Sequence, residues 1–98
     1  MAYELIWSPA ARDDLHDIVI FIARHNPNRA MSFGYELISE TDRLQEFPKS
    51  GRIVPEYRND DIREIILRPY RIVYRVNHDW KLCQIARVWH SARGIPQL

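Results

Sequence analysis

The chain has 98 residues, which limits it to a single domain, predicted to span residues 1–98. Its one cysteine, Cys83, excludes an intramolecular disulfide and a cysteine-based zinc site. The formal net charge of +1 is unevenly divided, because five basic residues stand against eight acidic ones up to Ser50, and nine against five after it.

Neither an export signal nor a membrane span is expected. Residues 1–7 contain no basic stretch followed by an apolar run, and no run of about 18 apolar residues occurs anywhere. The composition therefore favours a cytoplasmic location. The four histidines do not have the spacing of a zinc site, and we expect neither a metal nor another cofactor.

The first half of the chain predicts a strand followed by two helices. Tyr3–Trp7 is β-prone and ends at Ser8-Pro9, which is a helix N-cap followed by proline at the first helical position. Apolar residues then recur at steps of three and four, which indicates an amphipathic helix to about His25. Asn26-Pro27 ends this helix and begins a second one, so the pair forms an antiparallel hairpin. Three carboxylates of the first helix are expected to be solvated: Asp13, Asp14 and Asp17.

The second half of the chain changes to alternating periodicity. Arg52–Asp60 is predicted to be an irregular loop, and strands follow at Asp61–Arg68, Tyr70–Val76 and Lys81–His90. A hairpin turn at Asn77–Asp79 joins the last two. The N-terminal strand is expected to join the same sheet. The result is an α+β fold of order β-α-α-β-β-β, with the helical hairpin packed on one face of a small, mainly antiparallel sheet.

The alternation from Tyr70 to Val76 predicts which side chains lie on the second face of the sheet, the face that the helices do not cover. The apolar residues of this strand face the helices, so Arg71 and Arg75 are expected to project from the uncovered face or its edge. Other cationic or aromatic residues within reach are Arg63, Arg87, Arg93, Trp89 and Tyr57. Such a face can hold phosphates and stack bases, or it can simply be the solvated side of an antiparallel sheet.

Several short motifs follow one another along nearly the whole chain. They are Ser8-Pro9-Ala10-Ala11, Asn26-Pro27, Gly51-Arg52, Val54-Pro55-Glu56, Ile62-Arg63-Glu64, Tyr70–Val76 and Val88-Trp89-His90 with Arg93. None is specific by itself. Their ordered combination at this chain length resembles the RelE/ParE superfamily of toxins from type II toxin-antitoxin modules, and most closely its ParE-like branch.

The resemblance implies a toxin that inhibits growth, belongs to a plasmid-stabilisation type of module and is neutralised by a cognate antitoxin. Antitoxins of this superfamily wrap a C-terminal segment, often acidic, around the toxin, and the basic second half of the chain suits such a segment. The residues expected to bind the antitoxin or the target are Arg63, Arg71, Arg75, Arg87, Trp89 and Arg93.

The two branches of the superfamily imply different activities. ParE-like members inhibit DNA gyrase through a binding surface, without a catalytic centre, and the segment Trp89–Arg93 resembles that branch. RelE-like members cleave mRNA at the ribosome without a metal. Under this alternative Glu56 would be the base, His90 the acid and Arg71 the phosphate clamp. The RelE-type lysine cluster is absent, which favours the non-catalytic activity.

Overall fold

The computed structural model describes residues 2–98, which form two helices and one five-stranded sheet. The elements in chain order are β1 (Glu4–Trp7), α1 (Pro9–His25), α2 (Pro27–Asp42), β2 (Arg52–Ile53), β3 (Ile62–Leu67), β4 (Tyr70–Asn77) and β5 (Leu82–His90). The expected α+β class is confirmed. The loop expected at Arg52–Asp60 was wrong at its first two residues, because a strand of two residues is too short to show alternation.

The sheet has the strand order β1-β5-β4-β3-β2. The N-terminal strand β1 does join it, parallel to β5, and every other neighbouring pair is antiparallel. The helical hairpin between β1 and β2 carries the chain from one edge of the sheet to the other. Strand β5 therefore lies between β1 and β4, where its residues contact both strands.

Both helices begin as their sequences predict. The Ser8 side chain accepts a hydrogen bond from the Ala11 backbone N–H at 3.0 Å, and the Asn26 side chain accepts one from the Arg29 backbone N–H at 3.0 Å. Neither helix combines the length and the apolar content needed to cross a bilayer, within the residues described.

The core lies between the helical hairpin and one face of the sheet. Phe33 and Leu37 of α2 are completely buried, and they pack with Ile72 and Tyr74 of β4 and Ile85 of β5. This arrangement is the one that the even-numbered apolar residues of β4 predict. Burial of such side chains contributes about 1.5–3 kcal/mol each, so this single core supplies most of the stabilisation of the fold.

A buried tyrosine holds the segment before β2 against the sheet. The Tyr74 hydroxyl accepts a hydrogen bond from the Gly51 backbone N–H at 3.0 Å and donates one to the Pro48 carbonyl at 2.7 Å. Burial raises the pKa of this hydroxyl. The segment comes so close that a Cβ atom on Gly51 would lie 2.6 Å from the Glu64 carbonyl oxygen and 2.7 Å from the Tyr74 hydroxyl. Residue 51 must therefore be glycine for this contact to form.

Candidate functional site

The sheet face opposite the helices is partly covered by two irregular segments, residues 54–58 and 94–98. The Tyr57 hydroxyl donates a hydrogen bond to the Pro96 carbonyl, which joins the two segments. The Trp89 indole N–H donates to the Gly94 carbonyl at 3.2 Å. Val73 and Trp89 are consequently buried, with only 2% of Trp89 exposed. The expectation of an uncovered face is wrong for this part of the sheet.

Strand register arranges the side chains of this face in three rows. The first row across β3, β4 and β5 is Ile66, Arg71 and Trp89. The second row is Glu64, Val73 and Arg87. The third row, which extends to β1, is Ile62, Arg75, Gln84 and Ile6. In the first two rows Arg71, Glu64, Val73 and Trp89 are buried, Arg87 is partly buried and Ile66 is exposed, whereas Arg75 of the third row is exposed.

Arg71 is the centre of a buried ion-pair network. Its Nε donates to Glu64 at 2.6 Å, and its two terminal nitrogens donate to the two carboxylate oxygens of Glu56 at 2.9 and 2.7 Å. Glu64 also accepts from Arg52 at 2.6 Å. The Arg71 side chain is 10% exposed and the Glu64 side chain 0% exposed. The guanidinium expected to project into solvent is thus buried, and each of its three nitrogens donates to a carboxylate.

The network shifts the pKa values of Glu56 and Arg71. Hydrogen bonds from Arg71 hold the pKa of Glu56 below its ordinary value of 4.5, although partial burial acts in the opposite direction. Hydrogen bonds to Glu56, and then those to Glu64, raise the pKa of Arg71. Glu56 is therefore a carboxylate with both oxygens occupied. This is a poor arrangement for a general base, which needs a free oxygen and a pKa nearer to neutrality.

His90 lies on the other face of the sheet from Arg71 and Glu56. Its cross-strand partner is Tyr70, whose ring meets the His90 ring edge to face at 5.3 Å and also contacts Phe33 of α2. The His90 Nδ1 atom accepts a hydrogen bond from the Ala92 backbone N–H at 3.0 Å. The structure therefore brings Glu56 and Arg71 together but leaves His90 apart from them.

Arg87 is also neutralised within the protein. Its Nε and one terminal nitrogen donate to the Asp14 carboxylate at 2.8 and 2.9 Å, and the Val88 backbone N–H donates to the same carboxylate at 3.0 Å. Hydrogen bonds to Asp14 raise the pKa of Arg87. The expectation of a solvated Asp14 was wrong, because this carboxylate binds the edge of β5 beyond the end of β1. Asp14 is thus a site residue that sequence analysis missed, although its position three residues after Ala11 and four before Ile18 places it beside the apolar face of α1, unlike Asp13.

The remaining candidates occupy three different environments. Arg63 lies opposite Tyr74 on the helix side of the sheet, so its expected place on the uncovered face is wrong. It donates to the carbonyls of Lys49, Gly51 and Asp60 at 3.2, 2.9 and 2.8 Å. Arg93 is exposed and stacks 3.8 Å from the centre of the Trp89 ring. Arg75 is exposed and has no carboxylate within 4.0 Å among residues 2–98.

We expect Glu56→Gln to lower stability in a pH-dependent way. The Glu56 pKa is lowered on folding, so the ionised carboxylate stabilises the fold above the ordinary pKa of 4.5, and this contribution is lost as pH falls through the folded-state pKa. At pH 7 the variant should be about 1–2 kcal/mol less stable than the parent chain. Urea unfolding at pH 7, 5, 4 and 3 should show this difference shrinking below pH 4.5. A difference that stays constant down to pH 3 would contradict the assignment.

Comparison with known proteins shows what the chain is similar to. A family model described as the ParE toxin of the type II toxin-antitoxin system, parDE, matches residues 5–95. Toxin RelE2 of Caulobacter vibrioides is 31% identical over 91 residues, which cover 92% of this chain and 97% of that protein. Putative toxin Y4kP of Sinorhizobium fredii is 31% identical over 94 residues, covering 94% and 92%.

Solved structures show the same fold at lower identity. A chain of the chromosomal ParDE toxin-antitoxin system from P. aeruginosa superposes with a TM-score of 0.74 at 23% identity, covering 91% of this chain and 96% of that chain. A mutant of the E. coli toxin RelE in the free state gives a TM-score of 0.65 at 18% identity, covering 96% and 88%. Both branches of the superfamily therefore share this architecture.

Proposed function

Because the chain belongs to the ParE toxin family of type II toxin-antitoxin systems, we propose that it inhibits DNA gyrase through a binding surface and is neutralised by a cognate antitoxin. The geometry that supports a non-catalytic activity is the mutual engagement of Glu56 and Arg71. Arg71 donates three of its five N–H groups to the two carboxylates, and its two terminal nitrogens, which would grip a phosphate, are both bonded to Glu56. With His90 on the opposite face, the three residues expected as acid, base and phosphate clamp do not converge.

The C-terminal segment offers the surface best suited to a macromolecular target. Arg93 and Ile95 are both exposed there, next to the buried Trp89, on a segment fixed by the hydrogen bond from the indole to Gly94. Exposed apolar and arginine side chains on an ordered support are typical of interface anchors. Arg93 stacked on an aromatic ring is also held in one place, which reduces the entropy lost on binding.

The alternative function is metal-independent cleavage of mRNA at the ribosome, in the manner of RelE-like toxins. The similarity in fold to the E. coli toxin RelE is the observation that favours this alternative. It would require Glu56 to leave Arg71, so that the guanidinium could bind phosphate and the carboxylate could accept a proton. His90 would also have to reach the other face of the sheet. The structure holds each of these groups in a different hydrogen-bonded arrangement.

Assays with purified protein distinguish the two functions. With gyrase, ATP and relaxed plasmid, we expect the chain to block supercoiling and to cause linear plasmid to accumulate. Replacing Arg93 and Ile95 by alanine should weaken this inhibition by about tenfold, because both side chains would lie in the contact. Arg24→Ala, which removes an exposed arginine near the end of α1, should inhibit within about twofold of the parent chain.

The matching assay for the alternative is mRNA cleavage in a reconstituted translation reaction. If transcripts are cut within the ribosome and His90→Ala abolishes the cutting, the protein is a nuclease and the proposed inhibition of gyrase is wrong. Intact transcripts together with linear plasmid would support the proposed function. Protein that affects neither gyrase nor mRNA would contradict both.

A further inference from the structure

A depression of about 600 Å³ lies where the start of β1, the segment before β2 and the turn after β4 meet. None of its lining residues belongs to the segment of Arg93 and Ile95 or to the Arg71 network. Pockets for small ligands typically have about 300–1,000 Å³, so this depression is large enough for a small ring-shaped ligand. The lining consists of Tyr3, Phe47, Pro48, Lys49, Ser50 and His78.

Two walls of the depression are rings held in place by hydrogen bonds. The Tyr3 hydroxyl is hydrogen-bonded to His78 Nδ1 at 2.8 Å, and the two rings meet edge to face with their centres 5.9 Å apart. On the other side of the imidazole, Nε2 lies 3.0 Å from the Asp61 carboxylate. The polar atoms of both rings thus have partners within the protein, and the rings offer mainly apolar surface to a ligand.

The third wall is a backbone segment, residues 47–50, that the fold also holds in place. The Pro48 carbonyl accepts a hydrogen bond from the buried Tyr74 hydroxyl at 2.7 Å. The Lys49 carbonyl accepts one from the Arg63 guanidinium at 3.2 Å. Because its walls are already ordered, the depression loses little conformational entropy when a ligand enters, and this favours binding.

Phe47 provides an exposed ring beside these walls. Its side chain is 62% exposed, and among residues 2–98 it is paired with no other aromatic ring. A flat ring that packs against Phe47 removes apolar surface of both partners from water, and aromatic pairs gain further from their ring electrostatics. The lining therefore favours a ligand that contains an aromatic ring.

Lys49 adds a positive charge to the depression. It is exposed and has no carboxylate within 4.0 Å among residues 2–98. In the described part of the chain, no carboxylate lines the depression. The ammonium group stands on a flexible stem, so it can reach an anion without first losing an internal partner. Aromatic walls beside one available ammonium suit a ring that carries a single negative charge.

We propose that this depression is a binding site for a small aromatic carboxylate, whose ring packs against Phe47 and Tyr3 and whose carboxylate pairs with Lys49. A nucleic acid strand fits less well, because it requires several cations along its phosphates and the lining has one lysine. A protein segment would bring backbone groups that need partners, whereas the backbone N–H groups of Tyr3 and Ser50 are already bonded within the chain.

Titrations followed by the backbone amide signals in NMR spectra test the proposal directly. The probe is 2-naphthoate, which we expect to bind with a Kd of about 0.1–1 mM and to shift the signals of Tyr3, Lys49, Ser50 and His78. The neutral 2-naphthamide should bind about three- to fivefold more weakly, because it lacks the charge that pairs with Lys49. The saturated decahydro-2-naphthoate should bind at least about threefold more weakly, because it has no aromatic ring.

Substitutions at two exposed positions assign the contacts. Lys49→Ala should remove the preference for 2-naphthoate over 2-naphthamide, and Lys49→Arg should retain it. Arg24→Ala changes the net charge by the same amount at the end of α1, away from the lining, and should leave the preference within about twofold of the parent chain.

Phe47→Ala should weaken binding of both naphthyl probes at least about fivefold. Met31→Ala is its control, because Met31 is 64% exposed on α2 and does not line the depression. This control should alter the Kd by less than about twofold. Thermal melts should show that all variants remain folded at the temperature of the titration.

Several results would overturn the proposal. They are equal binding of 2-naphthoate and 2-naphthamide, equal weakening by Lys49→Ala and Arg24→Ala, and signal shifts confined to residues away from the lining. Adenosine monophosphate and the peptide acetyl-Asp-Phe-Asp-amide provide the last two arms. If either binds more tightly than 2-naphthoate and depends equally on Phe47 and Lys49, the site takes a nucleotide or a protein segment, and the assignment to a small aromatic carboxylate is wrong. These titrations contain no gyrase, so their outcome is independent of the proposed function.

Discussion

Arg71→Ala is expected to lower the free energy of unfolding by about 3–5 kcal/mol, because it leaves a charge buried without its partner. The Glu64 carboxylate is completely buried, and after the substitution it would retain only the exposed Arg52 as a cation. Glu56, with its side chain 28% exposed, can turn to solvent and contributes less to this loss. A domain of this size is typically stable by about 5–15 kcal/mol, so urea unfolding should show a large shift of the midpoint.

A double-mutant cycle separates the ion pair from simple loss of packing. Arg71→Met retains much of the side-chain volume, and Glu64→Gln removes the charge that Arg71 contacts at 2.6 Å. We expect the double variant to be more stable than the sum of the single effects predicts, by about 1–3 kcal/mol, because neither partner is left alone. Additive effects would show that Arg71 and Glu64 do not act as a pair.

An exposed ion pair serves as the control for this series. Arg29 and Glu36 of α2 contact each other at 2.8 Å, with side chains 41% and 46% exposed. Glu36→Gln should change stability by less than about 1 kcal/mol, since solvent screens such a pair. A loss equal to that of Arg71→Ala would show that burial is not the cause of the larger effect.

Gly51→Ala is expected to destabilise the fold by about 2–4 kcal/mol through overpacking and the loss of a buried hydrogen bond. The added methyl group would lie 2.6 Å from the Glu64 carbonyl oxygen and 2.9 Å from the Tyr74 ring, and neither atom can move freely. Relief requires the segment at residue 51 to withdraw from Tyr74, which breaks the bond from the Gly51 N–H to the hydroxyl. Thermal and urea unfolding should both report the loss.

Gly34→Ala is the matched control for this substitution. A Cβ atom at this position, in the interior of α2, would meet no other atom within 4 Å. Alanine is a better helix former than glycine, so the variant should be more stable than the parent chain by about 0.5–1 kcal/mol. Opposite signs at the two positions would show that the effect at residue 51 comes from close approach. Destabilisation by both variants to the same extent would contradict that explanation.

The ion pairs in the structure neutralise part of the charge that the sequence divides unevenly between the two halves of the chain. The acidic excess before Gly51 and the basic excess after it suggest a basic sheet supported by an acidic hairpin. In the structure, Asp14 from the acidic part forms an ion pair with Arg87. Glu56 and Glu64, which belong to the basic part, form ion pairs with Arg71. On the sheet face opposite the helices, Arg75 and the neighbouring Arg93 remain exposed without a carboxylate partner among residues 2–98.

The candidate site was predicted from sequence only as a set of residue types. Alternation in β4 correctly puts Arg71 and Arg75 on one face, but it also implies that they are equally available. A bulge between Val73 and Tyr74 shifts the register with β5, so that Gln84 and Arg87 share that face although they are three residues apart. Strict alternation would separate them. Neither burial of Arg71 nor exposure of Arg75 is visible in the strand pattern itself.

The sequence by itself determined the α+β class, the order of the two helices and of strands β1, β3, β4 and β5, and the toxin family, but not the two-residue strand β2. These follow from caps, periodicity and motif order, which act over a few neighbouring residues or are read in order along the chain. Tertiary structure alone decided which arginines are neutralised and which are free. An ion pair such as Asp14 with Arg87 joins residues far apart in the chain, and its formation depends on where helix, bulge and covering segments place both side chains.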